Sequence, residues 1–350
     1  MEVSMFDYKW YLKDGYPAPG IEAHNLKVFG TFICGGGSTM GYKLAGYHHI
    51  GGVELDPNIA KIYRKNHNPE HLFCEDIRDF NAREDLPPEL YDLDILDGSP
   101  PCSTFSTAGS REAAWGKEKQ FAEGQKMQRL DDLVFVYCET IKKLRPKVFI
   151  LENVSGLIKG NAKSYMARIM ATMKEAGYES QVFLLDAQCM GVPQVRKRVF
   201  VIGRRKDLGW PLLRLNFNQK PIPFGRIIDR SDTSDNLEEM QKKYWPKRKK
   251  GDRDFADIYQ RERGKYSGFT QALISSDKVC PTITTSMMAL WDYPRRMNAK
   301  EYALASSFPL DYDFQGKAAF LCGMSVPPVM TANIAYEIYK QWFKVNKSTL

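Results

Sequence analysis

Histidine is scarce in this 350-residue chain, and its distribution limits the sites that the chain can build. All five histidines lie within the first 71 residues. A cysteine hydrolase needs an imidazole beside its thiol, so this distribution argues against that class. The seven cysteines form no CxxC pair and no zinc-type spacing. We therefore expect neither a metal ion nor a disulfide framework.

Long apolar runs are also missing. No stretch approaches the ~20 apolar residues of a membrane helix, and the N-terminus carries acids and aromatics instead of a secretory signal pattern. We expect a soluble cytoplasmic protein that has no membrane partner. The length suffices for one large domain and a smaller one.

Positive charge is concentrated in one segment. The formal net charge is +8, and residues 205–280 hold 17 Lys and Arg against 11 Asp and Glu. A basic segment suits a polyanionic partner. It equally suits a solvated basic surface, and charge alone does not decide between the two.

Residues 27–204 alternate strand-like and helix-like patterns, which predicts an α/β domain with a mostly parallel sheet. The first helix is predicted to begin with Ser38 as its N-cap. The second is predicted to have Asp56 as N-cap and Pro57 at its first position. From about residue 205, prolines, glycines and charges indicate a separate loop-rich module, before a helical pattern returns near the C-terminus.

A glycine run, Gly35–Gly37, follows the first strand. Such a turn lets a ligand approach the backbone at a helix N-terminus, although glycine runs as often form simple tight turns. Glu54 ends the second strand about 20 residues later, where an acid commonly accepts hydrogen bonds from ribose. The glycines do not match GxGxxG, which disfavours a nicotinamide dehydrogenase and leaves another adenosine cofactor open.

The segment "DGSPPCSTFSTAG", residues 97–109, follows an apolar strand pattern. Pro100 and Pro101 restrict the backbone just before Cys102, beyond the carboxyl end of a strand, where parallel sheets bind ligands. A thiolate is the best soft nucleophile among the side chains. A lone cysteine is more often structural, so both interpretations stay open.

Two other strand ends carry charged side chains. Glu152 follows the apolar run "KVFIL", where partial desolvation would raise its pKa and let it share a proton with a ring nitrogen. Arg196 and Arg198 alternate before a strand, which predicts that both lie on one face and suits phosphate or carboxylate groups. Taken alone, Glu152 equally fits a helix-capping acid, and Arg196 and Arg198 equally fit a solvated strand end.

In this order, the motifs resemble those of the cytosine-5 DNA methyltransferases, enzymes that use S-adenosyl-L-methionine. The similar elements, within residues 27–204 and 280–340, read "FICGGG", "YKLAGY", "VELDPNIAKIYRKNH", "CEDI", "GSPPCSTFSTAG", "LENVSGL", "QVRKR", "PTIT", "SSFPLDYDF" and "GMSVPP". The chain departs from the family pattern at Cys34 and Met324, where glycine and asparagine are usual. It also departs at Leu304 and Ser306, where arginine and glutamine are usual.

The resemblance implies a Rossmann-like methyltransferase fold with helices on both faces of its sheet. It places the catalytic and cofactor-binding domain at 27–204 and a smaller target-recognition domain at 205–280. Residues 281–350 return to the catalytic domain and end in a helix. Residues 1–26 form an N-terminal extension without an assigned role.

The resemblance also implies a reaction route. The Cys102 thiolate adds to C6 of a cytosine flipped out of duplex DNA, which costs a few kcal/mol, and Glu152 hydrogen-bonds or protonates N3. The methyl group passes from S-adenosyl-L-methionine to C5, leaving S-adenosyl-L-homocysteine, and a base such as water removes the C5 proton. Arg196 and Arg198 would bind the base or a phosphate and favour the thiolate, and Asn153 would brace the site.

The implied cofactor residues lie at several strand ends. Glu54 would hold the ribose, Leu55 and Ile77 would sandwich the adenine, and Asp76 would accept from its amino group. The full expected set is Phe32, Gly36, Gly37, Glu54, Leu55, Asp76, Ile77, Pro101 and Ser325.

The resemblance implies double-stranded DNA as the partner of a monomer, with a cognate restriction endonuclease if the enzyme belongs to a restriction–modification system. A solitary or phage-borne enzyme fits equally. Two alternatives keep the same fold: a tRNA cytosine-5 methyltransferase and a catalytically silent DNA-binding module. The basic insert favours duplex DNA, and the intact Cys102, Glu152 and Arg196 argue against the silent module.

Overall fold

The structure is a computed structural model that describes residues 5–101, 132–159, 162–265, 267–268 and 270–345. Its strands are β1 (Lys27–Thr31), β2 (His48–Val53), β3 (His71–Phe73), β4 (Ile95–Gly98), β5 (Val148–Val154), β6 (Tyr178–Asp186), β7 (Lys197–Arg205), β8 (Leu273–Ile274) and β9 (Ala289–Leu290). Its helices are α1 (Gly37–Leu44), α2 (Pro57–His67), α3 (Ile77–Ala82), α4 (Leu133–Leu144), α5 (Ala162–Glu175), α6 (Glu239–Tyr244), α7 (Phe255–Arg263), α8 (Ala299–Ala305), α9 (Ala318–Met324) and α10 (Pro328–Ile338).

Seven strands form one sheet in the order β3-β2-β1-β4-β5-β7-β6. The first five in this order pair in parallel. Strand β7 runs antiparallel to both β5 and β6. The predicted α/β class with a mostly parallel sheet is therefore confirmed, and β8 and β9 form a separate small sheet.

Helices cover both faces of the large sheet because each face is apolar. On one face, α3, α4 and α5 bury side chains such as Phe80, Tyr137 and Ile169. On the other face, α1 and α10 pack together and bury Tyr42 and Ile334. The strands alternate between these two cores, as the period of an extended chain requires.

The N-termini of α1 and α2 show where local sequence patterns were enough to predict a helix start and where they were not. Asp56 caps α2 by accepting from two backbone N–H groups of its first turn, as predicted. The prediction that Ser38 caps α1 is wrong, because α1 already begins at Gly37. Gly36 has a φ of +74° there, and a Cβ on it would lie 2.3 Å from His67 Nε2. The turn therefore requires glycine, and the helix starts earlier than the polar side chain suggests.

The segment between β7 and α8 has its own small core. Helices α6 and α7 and strands β8 and β9 surround a buried apolar cluster, which comprises Leu237, Tyr244, Phe255, Ile258, Leu273 and Ala289. A neighbouring cluster packs Phe224 and Ile227 against α8 and α9. The segment is thus folded, and it also rests on the elements that follow it.

The chain that precedes β1 is bound to the C-terminal elements. Trp10 Nε1 donates to Ser307 O at 2.9 Å, and Leu12 N donates to the Asp311 carboxylate at 2.6 Å. Residues 5–26 therefore help to hold the C-terminal return in place.

Contrary to the expectation from the sequence, one stretch of the described chain, Ala318–Lys344, has the length and apolarity of a membrane-crossing helix. The fold buries 78% of its apolar window. Its hydrophobicity is therefore explained by packing within the protein, chiefly of α10 against α1.

Candidate active site at the carboxyl edge of the sheet

The predicted site residues gather at one edge of the sheet. Phe32 follows β1, Glu54 follows β2, Asp76 follows β3, Pro101 follows β4, and Glu152 lies near the end of β5. These five strands are parallel, so all of these residues lie at their carboxyl ends. Open α/β sheets bind ligands at this edge.

A cleft opens between β1 and β4, where the strand order reverses. Three of the expected cofactor residues, Phe32, Gly37 and Ser325, line it. Its other lining residues are Ile33, Cys34, Ser38, Thr39, Asp97, Ser99, Met324 and Val326. The cleft thus joins the glycine turn, the end of β4 and the C-terminal "GMSVPP" motif.

Gly37 allows the walls of the cleft to approach each other. A Cβ at this position would lie 2.1 Å from Val326 O and 2.9 Å from Ser325 Cβ. Any larger residue would force the C-terminal motif away from α1. The first backbone N–H groups of α1 therefore stay close to the cleft, where they can serve a ligand.

Glu54 fixes the glycine turn through hydrogen bonds to the backbone. Its carboxylate accepts from Cys34 N at 2.8 Å and from Asp56 N at 3.0 Å. Desolvation raises the pKa of Glu54, and these backbone N–H groups oppose that rise. A carboxylate has about four acceptor positions, so Glu54 keeps capacity for ligand hydroxyl groups.

The other expected adenosine contacts lie on the neighbouring strand ends. Leu55 is 36% exposed and presents free apolar surface, whereas Ile77 is 4% exposed and belongs to the core. Asp76 caps α3 and accepts from Arg78 N at 2.8 Å. Gly36 underlies the turn and does not line the cleft.

Glu152 and Arg198 form a buried ion pair beside the cleft. Arg198 Nε lies 3.0 Å from Glu152 Oε1, and both side chains are largely shielded from solvent. Desolvation raises the pKa of Glu152, whereas the charges of Arg198 and Arg196 lower it. The first effect is larger, so the pKa stays above its usual value and the carboxyl group can hold or release a proton.

The two arginines that the sequence predicts to act together have different contacts. Arg196 is 2% exposed and donates to Ile283 O at 3.2 Å and Gly323 O at 2.8 Å. It therefore ties the C-terminal return to the sheet, and its burial lowers its pKa to about 9. Only Arg198, of this pair, makes a direct ion pair with Glu152 in the described chain.

Asn153 braces the segment that leads to the predicted nucleophile. Its Nδ2 donates to Pro100 O at 3.1 Å, and its Oδ1 accepts from Val154 N at 2.9 Å. Pro101 is the last described residue before Cys102, and Cys102 itself lies outside the described residues.

Sequence reasoning missed several residues of the cleft, of which Asp97 is the most unusual. Its carboxyl group accepts from Tyr42 Oη at 3.0 Å, and burial raises its pKa to about 7. Ser99, two residues later, donates to Phe32 O at 3.4 Å. An acidic residue at the end of an apolar strand pattern is a sequence signal for a site residue. Next to Asp97, however, the "GSPPC" motif indicates the cysteine as the functional residue.

No three His, Cys, Asp or Glu side chains are placed to share a metal ion within the ranges that the structure describes.

This arrangement defines an α/β protein in which a cleft and a buried Glu152–Arg198 ion pair share one sheet edge, and comparison with known proteins identifies its family. Residues 26–340 match the family model of the C-5 cytosine-specific DNA methylases. The match covers most of the chain, which therefore belongs to this family. Membership assigns the chain to cytosine-5 methylation of DNA.

Individual relatives agree with the family match. The Type II methyltransferase M.DdeI of Desulfomicrobium norvegicum is 27% identical, over 92% of this chain and 90% of its own length. The Type II methyltransferase M.Sau96I of Staphylococcus aureus is 30% identical, over 83% and 70%. The fold resembles the crystal structure of a DNA modification methyltransferase encoded within an E. coli prophage, with a TM-score of 0.65, 18% identity, and coverage of 91% and 100%.

Proposed function

We propose that this chain is an active DNA (cytosine-5-)-methyltransferase that uses S-adenosyl-L-methionine. The observation that carries the proposal is the buried Glu152–Arg198 pair, 3.0 Å apart, beside the segment that Asn153 ties down before Cys102. A module that only binds DNA would have no use for a desolvated carboxyl group with a raised pKa at this edge.

The cleft suits an adenosine cofactor of this kind. Gly37 lets the C-terminal motif pack closely against the start of α1, which keeps the first backbone N–H groups of α1 beside the cleft. Glu54 offers carboxylate oxygens beside the glycine turn. We assign the methionine end to the walls formed by Phe32 and Ser325 and the adenine end to Leu55. When bound, S-adenosyl-L-methionine would supply an electrophilic methyl group.

The chain's own residues then prepare the target base. We assign Cys102 as the thiolate that attacks cytosine C6, which makes C5 nucleophilic. Glu152 holds the proton that N3 receives as negative charge builds on the ring. Arg198 limits how far the pKa of Glu152 rises, so that the proton can be given up and taken back.

We assign duplex DNA binding to the segment 205–280, a domain between the catalytic parts 27–204 and 281–350. The exposed lysines of α6 and the following turns are Lys242, Lys243, Lys247, Lys249 and Lys250. Within the described chain, Lys249 and Lys250 make no ion pair, so they are free to contact phosphates.

We propose a cytoplasmic location. The Type II names of the relatives support a restriction–modification setting, in which a cognate endonuclease would cut the same DNA site.

Methyl-labelled S-adenosyl-L-methionine tests the proposal. The purified protein is incubated with the labelled cofactor and either long mixed-sequence duplex DNA or total tRNA, and the products are digested to nucleosides. We expect labelled 5-methylcytosine from the DNA alone. Label in tRNA alone would show that the enzyme methylates RNA instead of DNA. If protein that is folded and binds cofactor gives no label, the chain is a catalytically silent DNA-binding module.

A further inference from the structure

Asp97 places a buried carboxyl group in the cleft at the end of β4. It is 8% exposed, and it lines the cleft together with Gly37 and Ser325. Its parallel register sets it beside Gly30 of β1, which has no side chain, and beside Ile150 of β5. The Asp97 side chain extends towards α1, where it reaches Tyr42.

The groups around Asp97 are neutral or acidic. From α1, Tyr42 Oη donates to it at 3.0 Å, and the Ser38 hydroxyl is a second hydrogen-bond partner. From β5, the charge of Glu152 opposes its ionisation, and from α4 the phenol of Tyr137 lies within electrostatic range. No lysine or arginine of the described residues forms an ion pair with it.

Asp94, which directly precedes β4, shows what Asp97 lacks, namely a cation supplied by the protein. It is 6% exposed, but Lys147 Nζ lies 2.7 Å from its Oδ1 and Lys27 N donates to its Oδ2 at 2.7 Å. A buried carboxylate needs a cation or a proton. Asp94 has its cation within the protein, whereas Asp97 has a cleft in that place.

We propose that Asp97 binds the α-ammonium group of the methionine part of S-adenosyl-L-methionine. The inference rests on the proposed function, because it takes the cleft as the cofactor site. A carboxylate has about four acceptor positions, and two neutral donors leave room for an ammonium N–H. The sulfonium also carries positive charge, but it has no N–H to donate, so the ammonium is the better match.

Binding changes the protonation of Asp97. Burial raises its pKa to about 7 in the cofactor-free protein. An ammonium ion beside it favours the carboxylate, so the proton of a protonated Asp97 passes to solvent as the ligand binds. Affinity should then fall as the pH falls below about 7, since the proton competes with the ligand.

Three ligands separate the possible contacts in a calorimetric titration at pH 7.5. S-adenosyl-L-methionine has the ammonium and the sulfonium, S-adenosyl-L-homocysteine has only the ammonium, and 5′-methylthioadenosine has neither. In Asp97→Asn, we expect the first two to bind about 10- to 100-fold more weakly, the range of a hydrogen bond between charged groups. The affinity for 5′-methylthioadenosine should stay within about twofold, since it never contacts Asp97.

Asp94→Asn is the matched control, because it removes a buried acid that directly precedes β4. It should keep the wild-type ratio of affinities for S-adenosyl-L-homocysteine and 5′-methylthioadenosine. In the wild type, that ratio should fall between pH 7.5 and pH 6, and in Asp97→Asn it should be constant.

Other results would overturn the assignment. If Asp97→Asn weakens the binding of all three ligands equally, Asp97 only maintains the shape of the cleft. If it weakens the binding of S-adenosyl-L-methionine alone, Asp97 contacts the sulfonium instead of the ammonium. Unchanged binding would remove Asp97 from the cofactor site while leaving the proposed function standing. A wild type that binds none of the ligands would refute the cofactor site and the proposed function together.

Discussion

The carboxyl edge of the sheet and the segment after β7 are both rich in charge, but they hold it in opposite ways. At the edge, Asp97, Glu152 and Arg196 are buried, and their pKa values are shifted by desolvation. In the segment, lysines such as Lys249 and Lys250 are exposed. Buried charges depend on single partners, whereas exposed charges act together and are screened by salt. The first arrangement suits chemistry on one base, and the second suits affinity for a polyanion.

The sharpest test of the edge as a chemical centre is Cys102→Ser. A serine hydroxyl is a far weaker nucleophile than a thiolate, so methyl transfer should fall by about 10⁴-fold or more, while S-adenosyl-L-homocysteine binding stays intact. Cys189→Ser, at a half-buried thiol with a raised pKa, is the control and should keep wild-type turnover. Equal turnover in both variants would refute the assigned nucleophile.

Glu152→Ala should lower kcat by about 10²- to 10⁴-fold, because a positioned acid–base group is lost. Glu152→Gln should retain more activity, since its amide can donate to N3 without giving up a proton. Wild-type kcat should decline as the pH rises through the raised pKa of Glu152, as its protonated form is lost. A flat profile, or equal activity of Ala and Gln variants, would contradict the proton role.

Glu54→Ala tests whether the edge also holds the cofactor. Losing the carboxylate that fixes Cys34 N should raise the dissociation constant of S-adenosyl-L-methionine by about 10- to 100-fold. At saturating cofactor, kcat should stay close to that of the wild type. A calorimetric titration gives the first quantity, and an unchanged dissociation constant would exclude Glu54 from the site.

Asp97→Asn should stabilise the cofactor-free protein at high pH. The folded-state pKa of about 7 exceeds the ordinary value of 3.8, so the folded protein binds more protons and its stability falls as the pH rises between these values. The variant lacks this loss and should gain about 1–3 kcal/mol at pH 8. Urea unfolding at pH 4 and pH 8 measures the gain, which should vanish at pH 4.

The smallest effect is expected in the basic segment. The double variant Lys249→Ala/Lys250→Ala should weaken duplex binding several-fold and reduce the salt slope by about 1–2, as fewer counterions are released. Lys142→Ala/Lys174→Ala removes the same charge from the last turns of α4 and α5 and serves as the control. Equal loss in both variants would mean that net charge, and not this surface, determines affinity.

Local patterns predicted what depends on neighbouring residues in the chain. The strand–helix alternation gave the α/β class, and Asp56 followed by Pro57 gave the start of α2. The start of α1 was missed because it depends on contact between Gly36 and His67 across the fold. The family motifs also predicted the strand-end residues of the site. These residues lie at one edge of the sheet because the parallel strands share a direction.

Contacts between distant segments could not be predicted in this way. Arg196 donates to carbonyl groups at Ile283 and Gly323, which lie 87 and 127 residues away. Strand register sets Asp97 beside Gly30, and no local pattern reports that pairing. The burial of Asp97 in the cleft and the different contacts of the two arginines therefore became visible only in the structure.

Covalent trapping is the most direct test of the central claim, that this sheet edge activates cytosine in duplex DNA through Cys102. The protein is incubated with S-adenosyl-L-methionine and a long mixed-sequence duplex in which 5-fluorocytosine replaces cytosine, because fluorine at C5 prevents the proton loss that releases the enzyme. We expect a denaturation-resistant protein–DNA adduct that peptide mapping assigns to Cys102. An adduct on another residue, or methylation of ordinary duplex DNA without any adduct, would contradict the account.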